Sequence, residues 1–300
     1  MTAMGLSKKT RLLKELQPYF YVMPGMLVLL ILLVYPLLQV FILSAFEGSA
    51  FRRSFVGLAN YTRLIQDKDF WQAVYHSFVF TIASVFFHFF IGLSLALLLH
   101  QKISSFIRSI FRGFLIIPWL IAPLVAAMIW MLMYLSFGIL NGMLRDIGFI
   151  GGDQIVSWLG DPKYSLFSVT LVNIWRGFPF TMVMLLAALQ GIPDELYEAA
   201  KIDGAGSVKS FFYITLPGLK GTMLTVGLLD TIWTFRHFDI IFALTGGGPM
   251  NSSNVLTTSI YNTAFRAQRW GYSAATAVMM FLFMLVFSLL YIRQIDKEGV

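Results

Sequence analysis

Residues 198–217, EAAKIDGAGSVKSFFYITLP, carry charges of both signs between two apolar runs, 166–190 and 219–244, each long enough to cross a membrane. This polarity is conspicuous because 58% of the 300 residues are hydrophobic and only 12% are charged. A soluble domain has no interior large enough to hide that share of apolar side chains. The chain therefore reads as an all-α integral membrane protein that surfaces at this loop.

A spanning helix takes about 20 mainly apolar residues, and six stretches qualify: 20–46, 73–99, 113–136, 166–190, 219–244 and 273–292. They predict one transmembrane domain over 20–292, between an N-terminal segment 1–19 and a tail 293–300, with both termini on one side. Lys8, Lys9, Arg11 and Lys14 precede the first span as in a leader peptide. The apolar run that follows is too long for a leader and shows no evident small-residue cleavage site, so it reads as a retained anchor. A cytoplasmic N-terminus places 12 of the 22 basic residues inside and 8 outside, with Arg176 and Arg236 within spans. That balance follows the positive-inside rule and makes 191–217 a cytoplasmic loop.

Several functions are excluded by what the chain lacks. There is no cysteine for a disulfide, a thiolate metal site or a nucleophile. The net charge of +7 comes without a run of basic and aromatic residues, which argues against nucleic acid. No HExxH site, carboxylate pair at a shared mouth or activated serine suggests an enzyme or a resident metal.

Within the loop, Pro193, Asp194 and Glu195 suit the first turn of a helix over 193–203, and Gly204 suits its left-handed end. Leu196, Ala199 and Ala200 form a narrow face of mostly small residues. Ser207 is placed to cap a second short helix through Phe211, Phe212 and Ile214, with Pro217 resetting the chain into the next span. The segment DGAGSVKS is superficially like a phosphate-binding loop, but Val208 stands where a glycine should precede Lys209, and no strand leads in.

Glu198-Ala199-Ala200, Asp203-Gly204-Ala205 and Ile214-Thr215-Leu216-Pro217 together resemble the EAA loop of permease subunits in binding-protein-dependent ABC importers. FVGLANYTRLIQDKDFW, IPWLIAPLVAAMIW and LTGGGPMNSSN extend the resemblance over most of the chain, to sugar permeases of the maltose-transporter type. Two departures are Gly221, where a proline is common, and His76, where asparagine is frequent. The resemblance implies a type I importer permease of the bacterial cytoplasmic (inner) membrane. Residues Glu198, Ala199, Ala200, Asp203, Gly204 and Ala205 would then couple it to a separate ATPase. It also implies a second, homologous permease subunit, two cytoplasmic ATPase subunits that bind ATP and Mg, and a periplasmic or extracellular solute-binding protein. No cofactor is implied in this chain, and lipid is its surrounding solvent.

At membrane depth, Arg176 lies fourteen residues before Gln190 and Asp230 thirteen after Pro217, so both sit roughly 20 Å from the cytoplasmic ends of their spans. Asp230, Trp233, Thr234 and His237 share one helical face, as do Asn173, Arg176 and Phe180. Polar groups among aromatics suit sugar hydroxyls and rings; an Arg176–Asp230 ion pair tying two helices is the competing reading. By resemblance, Arg176, Gly177 and Phe180, with Asp230, Trp233, Thr234 and His237, align with positions that line a mid-membrane sugar site. Arg176, Arg236 and His237 make that site more basic, which admits an anionic sugar, an acidic oligosaccharide or a glycerophosphoryl compound; Asp230 and Asp239 counter those charges. His76 and His88 read as isolated packing residues. An ion-coupled secondary transporter is the alternative class, weakened by the docking loop and by the lack of an inverted repeat.

Overall fold

The computed structural model describes residues 8–48, 53–151 and 154–297. The first seven residues of the expected segment 1–19, the last three of the expected tail 293–300, and Arg52 lie outside the described residues. In chain order, α1 (Lys8–Leu29) and α2 (Tyr35–Ser44) form one rod through a π turn at Leu30–Val34. A hairpin of β1 (Phe46–Gly48) and β2 (Arg53–Phe55), then α3 (Ala59–Gln66), lead into α4 (Lys68–His100). Next come α5 (Ser105–Leu120), α6 (Pro123–Met133), α7 (Ile139–Asp146), α8 (Ser165–Leu189) and α9 (Asp194–Ile202). The chain ends with α10 (Ser207–Ser210), a π turn Phe211–Thr215, α11 (Leu216–Phe235), α12 (Asp239–Leu244), α13 (Leu256–Tyr261), a π turn Asn262–Arg266, and α14 (Trp270–Lys297).

Five helical segments are long and apolar enough to span a bilayer, and the paired α5 and α6 make a sixth. This third span, expected over 113–136, is bent by 95° at its middle. Pro123 drives its predecessor Ala122 to ψ 140, and Ile121 is extended as well at ψ 131. The fifth expected span, 219–244, is interrupted too: α11 stops at Phe235, and Arg236 to Phe238 leave the helix before α12 begins.

At its other end α11 is longer than expected. The helix begins at Ser207 and runs through Pro217, so the proline does not reset the chain between separate elements. A proline ring crowds the carbonyl four residues back and offers no N–H, and the widened π turn just before Pro217 absorbs that mismatch. The same device precedes Pro36 in the first rod. Ser207 does not cap: Gly206, at φ −75 and ψ 171, holds the cap position, and Ser207 is the first helical residue.

Three apolar clusters hold the bundle together. One joins Phe80, Trp130, Val169, Ile240 and Leu244, and a second joins Ala96, Leu99, Leu185, Leu189 and Leu219 at the opposite ends of α4 and α8. A third packs Leu64 and Phe70 against Phe235 and Tyr272. The first rod lies outside these clusters; from Tyr19 onward it exposes its apolar surface, as a lipid-facing helix does, and it touches α14 through α2.

The most extensive helix contact is α4 along α8, and glycine sets its closeness. A Cβ on Gly92 would stand 2.9 Å from the backbone nitrogen of Met182 and 3.1 Å from the Thr181 side chain. Gly92→Val should therefore force the seam apart at a cost of about 1–3 kcal/mol, read as a lower unfolding temperature of the purified protein in detergent. An unchanged midpoint would show that α4 and α8 tolerate separation there.

Candidate functional site

Between the two end clusters, α4, α8 and α11 meet at a polar network. His88 on α4 places Nδ1 2.8 Å from Asp230 Oδ2 on α11 and Nε2 3.1 Å from the Asn173 carbonyl oxygen on α8. The Thr234 hydroxyl donates to Asp230 Oδ1 at 3.2 Å, one turn further along α11. His88 is 1% exposed and Asp230 5% exposed, so neither is a surface group. Gly177 is what admits the ring: a Cβ there would overlap the His88 imidazole. A histidine that reads as isolated in sequence thus occupies the junction of three helices.

Asp230 is consequently not the partner of Arg176, and the competing ion-pair reading is corrected. The broken third span supplies the arginine's partner instead. Ending α5 at Leu120 and restarting at Pro123 frees carbonyls that a continuous helix would occupy, and Arg176 Nε donates to the Ile121 carbonyl at 3.2 Å. Asp239, in the first turn of α12, and His237 are its electrostatic neighbours. His237 does not continue the helical face of Asp230, because the helix has already ended. Its Nε2 is buried without a hydrogen-bond partner among the described residues, while its carbonyl accepts from Thr257 Oγ1 at 2.9 Å.

Three rings from three spans stand beside this point. Phe180 lies edge-on to Trp233 at 5.1 Å between centroids and is stacked near Trp119 at 5.9 Å. Trp119 and Trp233 remain 39% and 41% exposed, so the row faces out of the single chain. Of the eight residues singled out at membrane depth, Asn173, Asp230 and Thr234 are buried in helix packing. Trp233 is exposed, and Arg176, Gly177, Phe180 and His237 are half-buried. The sequence gives no sign of Trp119 or of the Ile121 carbonyl at this site, and His88 reads in it only as an isolated packing residue. Trp119 stands close to Pro118 and Pro123, and the proline pair was the available signal for a break there. An apolar groove of about 670 Å³, lined by Phe89, Met223, Gly227, Phe287 and Tyr291, runs between α4, α11 and α14 and contains none of these residues.

The loop between α8 and α11 projects from the other end of the bundle. Asp194 and Glu195 open α9 at the positive end of its dipole, with Pro193 as the preceding cap residue. Gly204 has φ +77, the left-handed conformation that ends the helix, and nothing lies within 4 Å of where its Cβ would be. Glu198, Ala199, Asp203 and Gly204 are exposed, and Ala200 and Ala205 half-buried. Tyr197, which sequence reading did not single out, fastens α9 to the foot of α11 through a 3.0 Å hydrogen bond to Thr215 Oγ1. Ile202, Val208 and Tyr213 are 87%, 71% and 80% exposed, giving the loop an apolar as well as a charged surface. Among the described residues no group of three or more His, Cys, Asp and Glu could hold a metal ion.

Comparison with known proteins matches this arrangement to one family. The chain is 33% identical over 292 residues to the trehalose/maltose transport system permease protein MalF of Thermococcus litoralis, covering 96% of this chain and 97% of that protein. It is 34% identical over 280 residues to the sulfoquinovosyl glycerol transport system permease protein SmoG of Agrobacterium fabrum, covering 92% and 89%. In fold it is similar to a chain of a bacterial ABC transporter involved in the import of the acidic polysaccharide alginate, with a TM-score of 0.83, 24% identity, and 96% and 99% of the two chains covered. Residues 88–293 match the family model described as the binding-protein-dependent transport system inner membrane component. The chain belongs to that family, the multi-pass inner-membrane permease subunits of ABC importers.

Proposed function

We propose that the chain forms half of the translocation pathway of an importer that carries a carbohydrate, including anionic sugars and acidic oligosaccharides. The observation that carries this reading is the row of Trp119, Phe180 and Trp233 beside Arg176, with both tryptophans exposed. Aromatic planes bind the apolar faces of sugar rings, and a guanidinium reads carboxylate or phosphate. Arg176 uses Nε on Ile121, while its two Nη groups make no hydrogen bond among the described residues. Asp239 is an internal counter-charge, so an anionic solute would be favoured rather than required. The names of relatives support the class: trehalose/maltose, sulfoquinovosyl glycerol and diacetylchitobiose are all carbohydrates or conjugates of them.

In this reading both termini and residues 191–217 are cytoplasmic, within a single permease domain over 20–292. A second permease subunit completes the pathway, a solute-binding protein delivers the cargo, and two ATPase subunits bind ATP and Mg. The chain itself is non-catalytic: α9 docks in an ATPase cleft through Glu198, Ala199, Ala200, Asp203, Gly204 and Ala205, and Asn173, Gly177, Asp230, Thr234 and His237 shape the pathway behind the aromatic row.

Reconstitution with the companion subunits, followed by uptake of labelled alginate pentasaccharide and of maltose, tests the cargo. Arg176→Ala should raise KM for the acidic oligosaccharide about tenfold or more beyond any rise for the neutral sugar, as loss of a charge-assisted hydrogen bond implies. Equal effects on both would remove the anion preference. At the coupling loop, Gly204→Asp should depress cargo-stimulated ATP hydrolysis and uptake together, more than Gly204→Asn does, because both side chains occur in the left-handed region and only aspartate adds a charge. Wild-type coupling in the aspartate variant would remove the docking role of the turn.

A further inference from the structure

We infer that His88 is a positioning residue for transport: with Asp230 it forms a net-neutral pin that makes α4, α8 and α11 move as one body, so that a push at α9 reaches the mid-membrane site. This rests on the permease reading above. Both imidazole nitrogens face acceptors, since Nε2 lies against the Asn173 carbonyl and Nδ1 against the Asp230 carboxyl. The carbonyl can only accept, so Nε2 carries a proton, and a second proton lies between Nδ1 and Oδ2. Whether that second proton sits on nitrogen or oxygen, the pair sums to zero charge. A carboxyl group is tolerated at this depth on those terms.

The position gives the pin its mechanical meaning. The docking helix α9 joins the end of α8 to the start of α10 and α11. If those two helices could slide past one another, displacement of α9 would be lost as shear. At the foot Leu185 and Leu189 of α8 pack with Leu219 of α11, and Tyr197 fastens α9 itself to Thr215 just before α11. Higher up, His88 reaches both from α4, bonding α8 through its backbone and α11 through its side chain. Beside it on α8 lies Arg176, one turn from Asn173 on the α9 side, and beyond it on α11 lies Trp233, one turn from Asp230. Side chains on the near side of the pin pack as an apolar cluster, whereas Thr81 Oγ1, Ser84 Oγ, Asn173 Nδ2 and Thr181 Oγ1 are buried along the same seam without hydrogen-bond partners among the described residues. The pin is therefore the principal polar tie of this seam.

The test measures solute imported per ATP hydrolysed by the reconstituted transporter, with assembly and thermal unfolding followed in parallel. Asp230→Asn keeps the hydrogen bonds of the pin, because its amide donates to Nδ1 while Nε2 keeps its proton; its ratio should stay well above that of the double variant His88→Ala with Asp230→Leu. His88→Ala leaves a lone buried carboxyl and should fail to assemble or unfold early. In the double variant His88→Ala with Asp230→Leu the charge is gone and assembly should return. Its solute per ATP should nonetheless fall about fivefold or more, the range of an ordinary coupling free energy, while ATP hydrolysis persists. A double variant that assembles and imports as efficiently as wild type overturns the inference. So does an Asp230→Asn variant that loses coupling or gains a higher KM, which would make Asp230 a solute contact. Absence of ATP-driven uptake by the wild-type assembly would instead count against the permease reading itself.

Discussion

A carboxyl group at mid-membrane depth has to be neutralised within the fold, because hydrocarbon offers it neither water nor counter-ions. Asp230 meets that condition through His88 and Thr234, and much of the bundle is arranged around the solution. Gly177 lacks a side chain so that the imidazole can enter between α4 and α8. Asn173 gives its carbonyl to the second ring nitrogen even though it sits within a helix. The apolar clusters on either side then exclude solvent from the junction.

With Asp230 satisfied by His88, Arg176 is left to find another partner, and the broken third span provides one. A proline makes the residue before it extended, the extended residues release a carbonyl, and the arginine takes that carbonyl. Backbone irregularity inside a membrane is sustained only where protein groups compensate it. The break and the arginine thus account for each other. The row of Trp119, Phe180 and Trp233 lies beside them, so polar and aromatic groups fall at one point.

The loop between α8 and α11 obeys a different constraint. Its helix leaves most of its surface open, and Tyr197 on it hydrogen-bonds Thr215 at the foot of α11. The π turn before Pro217 keeps its connection to α11 helical.

How much of this was legible in the sequence follows from the range of the interactions concerned. Runs of apolar residues determine spans because the length of hydrocarbon to be crossed is fixed. The left-handed turn at Gly204, the acidic opening of α9 and the polarity of residues 198–217 are likewise local facts of backbone and solvent. Helix spacing also put Arg176 and Asp230 at one depth, but depth says nothing about azimuth, and only the packed bundle decided that Asp230 turns to His88 and Arg176 to Ile121. Those residues are 142 and 55 positions away respectively, beyond any periodicity. Pro217 carries the same lesson in reverse: a local rule predicted a boundary, and a π turn, stabilised by continuing α11 into the bundle, removed it. The sequence by itself determined which segments enter the membrane and which one leaves it charged. The tertiary structure decided which buried polar groups meet, because each must find whichever partner the neighbouring helices bring within hydrogen-bond reach.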